Sequence, residues 1–332
     1  MKKVRIVIII LIFIGIFYFL NILMMPKYQD SLVEGSFTSE YYKSLKNHEV
    51  IFIGDCEVYA NFNPVVLYEE YGISSWVRGN SQQLIWQSYY VLEETLKYEI
   101  PKAVVLNVNS LRYDKKSDKR SEAYNRLMID RMKWSDTKIK LIKESMLEEE
   151  TFISYLIPIL RYHSRYDELS KEDIKYLFKR KDVTYNGFLV NKNVKGVSNL
   201  PTKRNLSNYE FDKENMEWLD KILELCKKNK IELILVKAPS VYPYWYSEYE
   251  EQIISYAHKN DLVYINLMER ADEIGIDYST DTYDGGLHLN LRGSIKNSKY
   301  FGKILKENVD LKDFHGDNYY EGLLKKYREE IK

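Results

Sequence analysis

Short apolar runs alternate with amphipathic stretches along most of this chain. The first run, EVIFIG at 49–54, is rich in β-branched residues and stops at a glycine, which is typical of a strand buried on both faces. Later strands are predicted at 73–77, 103–108, 231–237 and 262–265, and helices at 64–71, 82–98, 213–228, 247–259 and 291–307. This alternation predicts a three-layer α/β/α domain with a doubly wound parallel sheet.

The regular alternation stops between about 113 and 212. Three helical patterns occur there, at 137–147, 150–162 and 171–179, and a polar, turn-rich segment follows them. We therefore expect a helical insertion that covers the carboxyl edge of the sheet, within an α/β domain at 49–310. Residues 311–332 are predicted to form a charged C-terminal tail.

The longest apolar stretch lies at the amino terminus. Residues 6–25 carry no charge, and only Asn21 among them is strongly polar. In a helix they extend about 30 Å, which is one hydrocarbon thickness. Three basic residues precede the stretch, so we predict a cytoplasmic tip and single-pass cell-membrane anchor at 1–26, with the domain extracytoplasmic. A connector at 27–48 would lift the domain off the membrane. A cleaved signal peptide is the alternative, although no small-x-small cleavage site follows the stretch.

Charge and cysteine content narrow the class of protein. The 332 residues contain 49 basic and 49 acidic side chains, and this balance argues against nucleic acid as a partner. Two cysteines are too few for a disulfide-built extracytoplasmic protein. Cys226 falls on an amphipathic helical stretch and is expected to be a buried apolar residue. A disulfide between Cys56 and Cys226 is the alternative.

Cys56 is the first candidate for chemistry, because it stands just past the carboxyl end of the first strand, where open α/β sheets hold their ligands. Among five histidines, His288 stands out in the loop YDGGLHLN at 283–290, just before the last helix. A carboxylate there could orient the imidazole toward Cys56, and an adjacent imidazolium lowers the pKa of a thiol. A histidine in such a loop is more often structural, but its pairing with a strand-end cysteine favours catalysis.

Four sequence blocks carry a family resemblance. They are Gly54-Asp55-Cys56 after the first strand, Gly79 after the second, an asparagine after the third, and Asp284 to His288 before the final helix. Together they resemble the SGNH (GDSL-type) hydrolase and acyltransferase superfamily, whose sheet is flavodoxin-like. With the anchor, the chain resembles its membrane-anchored bacterial branch, which includes the D-alanine transfer protein of teichoic-acid modification and polysaccharide acetyltransferases. The resemblance covers roughly 49–110 and 230–307.

The resemblance implies that Cys56 is the nucleophile and His288 the base, with Gly79, an asparagine and the Cys56 N–H in the oxyanion hole. The chain departs from the family in having cysteine where the family has serine. It also departs in its third block, which is reduced to NVNS at 107–110. We favour Asn109 over Asn107 as the oxyanion donor, because strand alternation places both on one side and Asn109 is nearer the carboxyl end.

The orienting carboxylate stays open between two aspartates. The family's aspartate usually stands three residues before the histidine, whereas Asp284 stands four before and Asp281 seven before. We favour Asp284 in a Cys56–His288–Asp284 triad. No metal or other cofactor is implied, because the histidines show no ligand spacing.

An aromatic loop follows the fourth strand and contains Tyr242, Tyr244 and Trp245. Such rings suit a substrate rim that stacks on sugars, although packing against aromatic residues of the insertion is the alternative. The overall expectation is an esterase or O-acyltransferase that acts on a cell-envelope glycan or acylated polymer. A membrane partner protein that supplies acyl groups is part of this expectation. The alternative is a non-catalytic SGNH-like domain that binds glycan or an assembly partner.

Overall fold

A computed structural model describes residues 2–26, 34–44, 47–113, 122–179 and 182–332. Its centre is a sheet of five parallel strands in the order β2-β1-β3-β4-β5. The strands are β1 (Val50–Gly54), β2 (Ser75–Gly79), β3 (Ala103–Asn107), β4 (Glu232–Lys237) and β5 (Val263–Asn266). This is the flavodoxin-like order, in which ligands bind where the winding direction reverses, between β1 and β3.

Fifteen helices in the described residues surround this sheet or extend from it. They are α1 (Lys2–Met24), α2 (Glu34–Tyr41), α3 (Cys56–Asn61), α4 (Pro64–Tyr71), α5 (Ile85–Thr95), α6 (Glu122–Ile129), α7 (Asp136–Ser145), α8 (Phe152–Leu156), α9 (Ile159–Tyr162), α10 (Lys171–Phe178), α11 (Lys213–Asn229), α12 (Ser247–Asn260), α13 (Ala271–Ile274), α14 (Leu291–Asn308) and α15 (Asn318–Ile331). Two 3₁₀ turns lie at Val108–Arg112 and His163–Asp167.

The sheet is covered on both faces because neighbouring side chains of a strand point in opposite directions. Ile51 and Ile53 of β1 share one apolar core with α5, α7, α11 and α12. Val50 and Phe52 share the other with α3, α4 and α14. The prediction of a three-layer α/β domain with a parallel sheet is therefore confirmed.

Helix α1 meets the length and composition that a membrane-crossing helix requires, over Lys3–Met24. Nearly all of its apolar side chains are exposed. This exposure distinguishes α1 from the buried core helix of a soluble domain, which would also pass a test of length and composition.

The described part of the predicted connector packs onto the domain. Tyr41 of α2 is fully buried, and its ring lies 5.8 Å from that of Trp76 and 3.9 Å from the Arg78 guanidinium. Residues 34–44 therefore form part of the fold, while 27–33 and 45–46 lie outside the described residues.

The predicted C-terminal tail also contributes to the core. Tyr320, Leu324 and Tyr327 of α15 are buried against Val65 and Tyr68 of α4 and against neighbouring aromatic residues. The charge of this segment lies on the outer side of an amphipathic helix, so composition alone made it resemble a solvated tail.

The insertion divides into two parts. Helices α6 to α8 add side chains to the first core, and α9 and α10 contact α1. The following segment runs along the carboxyl edge of the sheet, where Leu189 N donates to Tyr59 O at 3.0 Å and Lys195 N donates to Thr282 O at 2.9 Å. These two contacts place the later segment at the carboxyl edge, where the sequence predicts that the insertion lies.

Candidate active site

Cys56 lies in the first turn of α3, immediately after the turn that ends β1. Asp55 caps this helix, and its Oδ1 accepts the Glu57 N–H at 3.1 Å. Gly79 is the last residue of β2, rather than following the strand, and lies beside the same turn. A Cβ on Gly79 would stand 2.4 Å from Val58 Cγ2 and 3.0 Å from Asp55 O, so only glycine allows this close approach.

Both cysteines are free thiols, so the structure does not contain the alternative disulfide. Cys226 is buried in α11, and burial raises the pKa of its thiol to about 12. Cys56 is partly exposed at the carboxyl edge of the sheet. Of the two thiols, Cys56 is the one that a reactant can reach.

Asp284 holds His288 through both of its carboxylate oxygens. Oδ2 lies 2.6 Å from His288 Nδ1, and Oδ1 accepts the backbone N–H of His288 at 2.9 Å. The Tyr283 ring stacks nearly parallel to the imidazole, with centroids 5.6 Å apart. These contacts set the orientation of the ring and place the Nδ1 proton toward Asp284.

Asp281, the other candidate for orienting His288, is engaged elsewhere. Its fully buried carboxylate receives the Lys296 ammonium at 2.6 Å and the Asp277 N–H at 2.9 Å, both on Oδ2. The structure therefore places Asp284, and not Asp281, on the imidazole.

The second ring nitrogen of His288, Nε2, is buried and has no hydrogen-bond partner at normal geometry. Burial alone would lower the pKa of His288. Interactions with Cys56, Tyr283 and Asp284 outweigh burial and hold this pKa well above 6.5. Cys56 is therefore one of the groups that act electrostatically on the imidazole.

The two candidate oxyanion asparagines both bind the Asp55 carboxylate. Asn107 Nδ2 donates to Asp55 Oδ1 at 3.0 Å and to Glu57 Oε2 at 2.8 Å, so both of its amide hydrogens are used. Asn109 Nδ2 donates to Asp55 Oδ2 at 2.6 Å and retains a second hydrogen. Asn109 follows the end of β3, in a 3₁₀ turn, so strand alternation does not govern its direction.

A buried ion pair that no sequence pattern indicates lies beside this cluster. Lys237 Nζ, at the end of β4, lies 2.9 Å from each oxygen of Glu57 in α3. Burial raises the pKa of Glu57, and the charge of Lys237 opposes this effect. Within the described residues, no three His, Cys, Asp or Glu side chains are grouped to hold a metal ion.

Asn61, at the end of α3, connects the loops around the site. Its Oδ1 accepts the Leu289 N–H at 2.9 Å, and its Nδ2 donates to Pro239 O at 3.2 Å. Asn61 therefore holds the residue after His288 against the helix that begins with Cys56. In the sequence, Asn61 stands two residues before Asn63, which caps α4. No other pattern marks Asn61 as a residue of the site.

The aromatic loop combines packing with partial exposure. Trp245 donates to Glu250 Oε2 at 2.6 Å, and its ring lies 6.0 Å from that of Phe211. Tyr242, Tyr244 and Trp245 are all partly exposed, and the Tyr242 and Tyr244 ring centroids lie 6.1 Å apart. Trp245 therefore packs against the insertion as the alternative predicts, while all three rings keep some accessible surface.

No model of a known protein family matches this sequence, and no curated protein matches it. Solved structures that are similar include a candidate acylhydrolase from Bacteroides fragilis NCTC 9343, at 11% identity and a TM-score of 0.40, which covers 82% of this chain and 94% of that one. A GDSL-like lipase from Bacteroides thetaiotaomicron VPI-5482 has 12% identity and a TM-score of 0.38, and covers 82% of this chain and 97% of its own. Similarities this weak transfer no activity, and membership of the D-alanine transfer branch stays a prediction.

Proposed function

We propose that this protein is a membrane-anchored, extracytoplasmic acyl-ester hydrolase or acyltransferase that uses Cys56, His288 and Asp284. The observation that carries the proposal is the buried imidazole of His288, which Asp284 holds at Nδ1 and which has an unpaired Nε2 beside Cys56. A carboxylate-oriented imidazole with a free nitrogen next to a thiol is the arrangement that nucleophilic acyl transfer requires.

In this mechanism, the thiol proton of Cys56 passes to His288 Nε2, whose raised pKa favours the imidazolium, and Cys56 Sγ then attacks the carbonyl carbon of the ester. The Cys56 and Gly79 N–H groups and the second amide hydrogen of Asn109 stabilise the oxyanion. The carbon–oxygen bond to the leaving alcohol then breaks, His288 returns the proton to that alcohol, and a thioester remains on Cys56. Water or an acceptor hydroxyl attacks the thioester, its proton passes through His288, and the thiol is regenerated.

The proposed substrate is an acylated glycan or polymer of the cell envelope. Its support is the partly exposed pair Tyr242 and Tyr244, in a loop bound directly to the His288 loop. Val241 N in that loop donates to Gly286 O at 2.9 Å. Aromatic rings beside a reactive centre suit stacking on sugar rings. In the acyltransferase form of the proposal, a membrane partner protein supplies the acyl group.

The proposal is tested by hydrolysis of p-nitrophenyl acetate by the full-length protein in detergent. We expect Cys56→Ala and His288→Ala each to reduce turnover to the background rate. Cys226→Ala removes the other thiol, far from the site, and should retain activity. Full turnover in Cys56→Ala or His288→Ala would show that the mechanism is wrong.

The partly exposed tyrosine pair also fits the non-catalytic alternative, in which the domain only binds glycan. Alkylation of Cys56 by iodoacetamide separates the two functions. Rapid alkylation that is lost in His288→Ala favours catalysis. Slow alkylation that is unchanged in His288→Ala, together with glycan binding that is lost in Tyr244→Ala, favours binding.

A further inference from the structure

The insertion exposes a group of large apolar side chains near α1. Helices α9 and α10 contact α1, and α8 contacts α9. The exposed side chains are found on α8, α9 and α10 and in the turn between α9 and α10, and each is between 46 and 78% exposed. The group, called here the seating surface, consists of Ile153, Leu156, Leu160, Tyr166, Ile174 and Phe178. Large apolar side chains exposed on neighbouring helices indicate an interaction surface.

Three contacts tie this part of the insertion to α1. The Phe178 and Phe19 rings lie 6.2 Å apart. Ile159 N donates to Asn21 Oδ1 at 2.9 Å, and Arg165 Nη1 donates to Met24 O at 2.7 Å. The insertion therefore contacts α1 along its last two turns, and not only at its end.

The rise per residue of an α-helix gives the distance of these contacts from the end of α1. Phe19 stands five residues before Met24, the last residue of α1, so its Cα lies about 7.5 Å back along the helix. If α1 spans a bilayer, the Phe178 ring lies no more than 6.2 Å from the depth of the Phe19 ring. Amphipathic helices at membrane surfaces bury their apolar faces to a similar depth of about 5–10 Å.

We propose that the seating surface inserts into the outer boundary of the bilayer and holds the domain against the membrane. The proposal rests on the membrane anchor in the proposed function and goes beyond it, because an anchor alone would leave the domain free to move on a tether. The occupant is lipid, because Phe178 of the seating surface packs against Phe19 of α1, a helix whose apolar side chains are exposed along most of its length.

The polar groups at this junction agree with a lipid-facing position. Asn21, the strongly polar residue of the apolar stretch, is buried, and it receives the Ile159 N–H and donates to Phe17 O. Arg165 binds a carbonyl at the end of α1 that has no partner within the helix. The contacts satisfy these polar groups within the protein and leave apolar side chains facing outward.

The test uses spin labels on single cysteines in the full-length protein, reconstituted into phosphatidylcholine and phosphatidylglycerol vesicles. The background carries Cys56→Ser and Cys226→Ala, and labels are placed through Leu160→Cys and Phe178→Cys. Ile254→Cys on α12 is the matched control, because Ile254 is 51% exposed and Leu160 is 52% exposed. A fourth label, through Phe13→Cys, reports on α1 itself. The measurement is the accessibility of each label to oxygen and to a water-soluble nickel chelate.

We expect oxygen-to-nickel accessibility ratios at 160 and 178 that are several-fold higher than at 254. If either variant fails to fold by circular dichroism, Leu156→Cys replaces it. Aqueous labels at 160 and 178 with a lipid-embedded label at 13 would overturn the seating surface and leave the anchor intact. Labels at 160 and 178 that are shielded from both reagents would indicate a protein occupant and also overturn the proposal. A label at 13 that is accessible to the nickel chelate would contradict both the membrane anchor and the seating surface.

Discussion

Asp284 reaches His288 although one more residue separates them than the resemblance to the SGNH superfamily implies. Gly285 and Gly286 lie between them with φ of +84° and +103°, a conformation that residues with side chains rarely adopt. The turn they make brings the carboxylate to both the imidazole Nδ1 and the His288 backbone N–H. The extra residue is therefore accommodated by the loop and does not displace the carboxylate.

The titration of His288 should report on this arrangement. Contributions from Cys56, Tyr283 and Asp284 hold the pKa of His288 well above 6.5, against the effect of burial. We expect long-range ¹H–¹⁵N NMR to give a midpoint above 6.5 in the native protein and a lower one in Asp284→Asn. Turnover of a small ester by Asp284→Asn should fall by roughly 10²–10⁴-fold.

The same shift makes stability depend on pH. Because the pKa of His288 is higher in the folded protein than in the unfolded chain, its stabilising contribution is complete below pH 6.5 and is lost as pH rises through the folded pKa.

Asp281→Asn is the control for the titration of Asp284→Asn, since Asp281 binds Lys296 and not His288. It should lower the melting temperature without moving the His288 midpoint. A midpoint that stays in place in Asp284→Asn would contradict the prediction.

At the level of secondary-structure elements, the Glu57–Lys237 pair joins α3 to β4 through a contact with almost no exposed surface. Lys237→Met leaves the Glu57 carboxylate buried without its counter-charge, and we expect a loss of about 3–5 kcal/mol in the free energy of unfolding. The double variant Glu57→Gln/Lys237→Met should recover much of this loss. Urea denaturation measures both values. Equal losses in the single and double variants would show that the pair is not coupled.

The turn before α14 provides a matched pair of glycines. A Cβ on Gly286 would lie 2.3 Å from Val241 Cγ2 and 2.7 Å from Val197 Cγ2, whereas a Cβ on Gly285 meets no atom within 4 Å. Gly285→Ala should therefore cost only backbone strain, about 1–2 kcal/mol. Gly286→Ala should cost a further 1–3 kcal/mol, roughly, from overpacking. Thermal unfolding compares the two variants, and equal stability would refute the predicted close packing.

For the whole molecule, the apolar α1 and the basic residues before it predict a cytoplasmic amino terminus and an external domain. In a Cys56→Ser background, a membrane-impermeant maleimide added to intact cells should label Ile254→Cys and not Val4→Cys. Both side chains are exposed on the protein, at opposite ends of the predicted topology. Val4→Cys should become reactive after lysis. Labelling of Val4→Cys in intact cells would contradict the prediction of a cytoplasmic amino terminus.

Local sequence pattern was sufficient for the scaffold. Buried strands need mainly apolar runs, and the helices between them need an amphipathic repeat. All five strands were predicted within two residues of their observed limits, including β5, which is only partly buried. The position of Cys56 at the carboxyl edge follows from the first strand. In contrast, α15 was not recognised, because its buried tyrosines occur in a segment dominated by charge.

What the sequence by itself determined is the α/β sheet, the apolar amino-terminal helix, and the placing of Cys56 and His288 near the carboxyl edge, because each depends on short stretches of chain. Only the tertiary structure decided between Asp284 and Asp281, since both lie in one loop and its path selects the partner of the imidazole. It also revealed the Glu57–Lys237 pair, which joins residues 180 positions apart. Such pairs form only when strands and helices pack together, so a local sequence pattern does not indicate them.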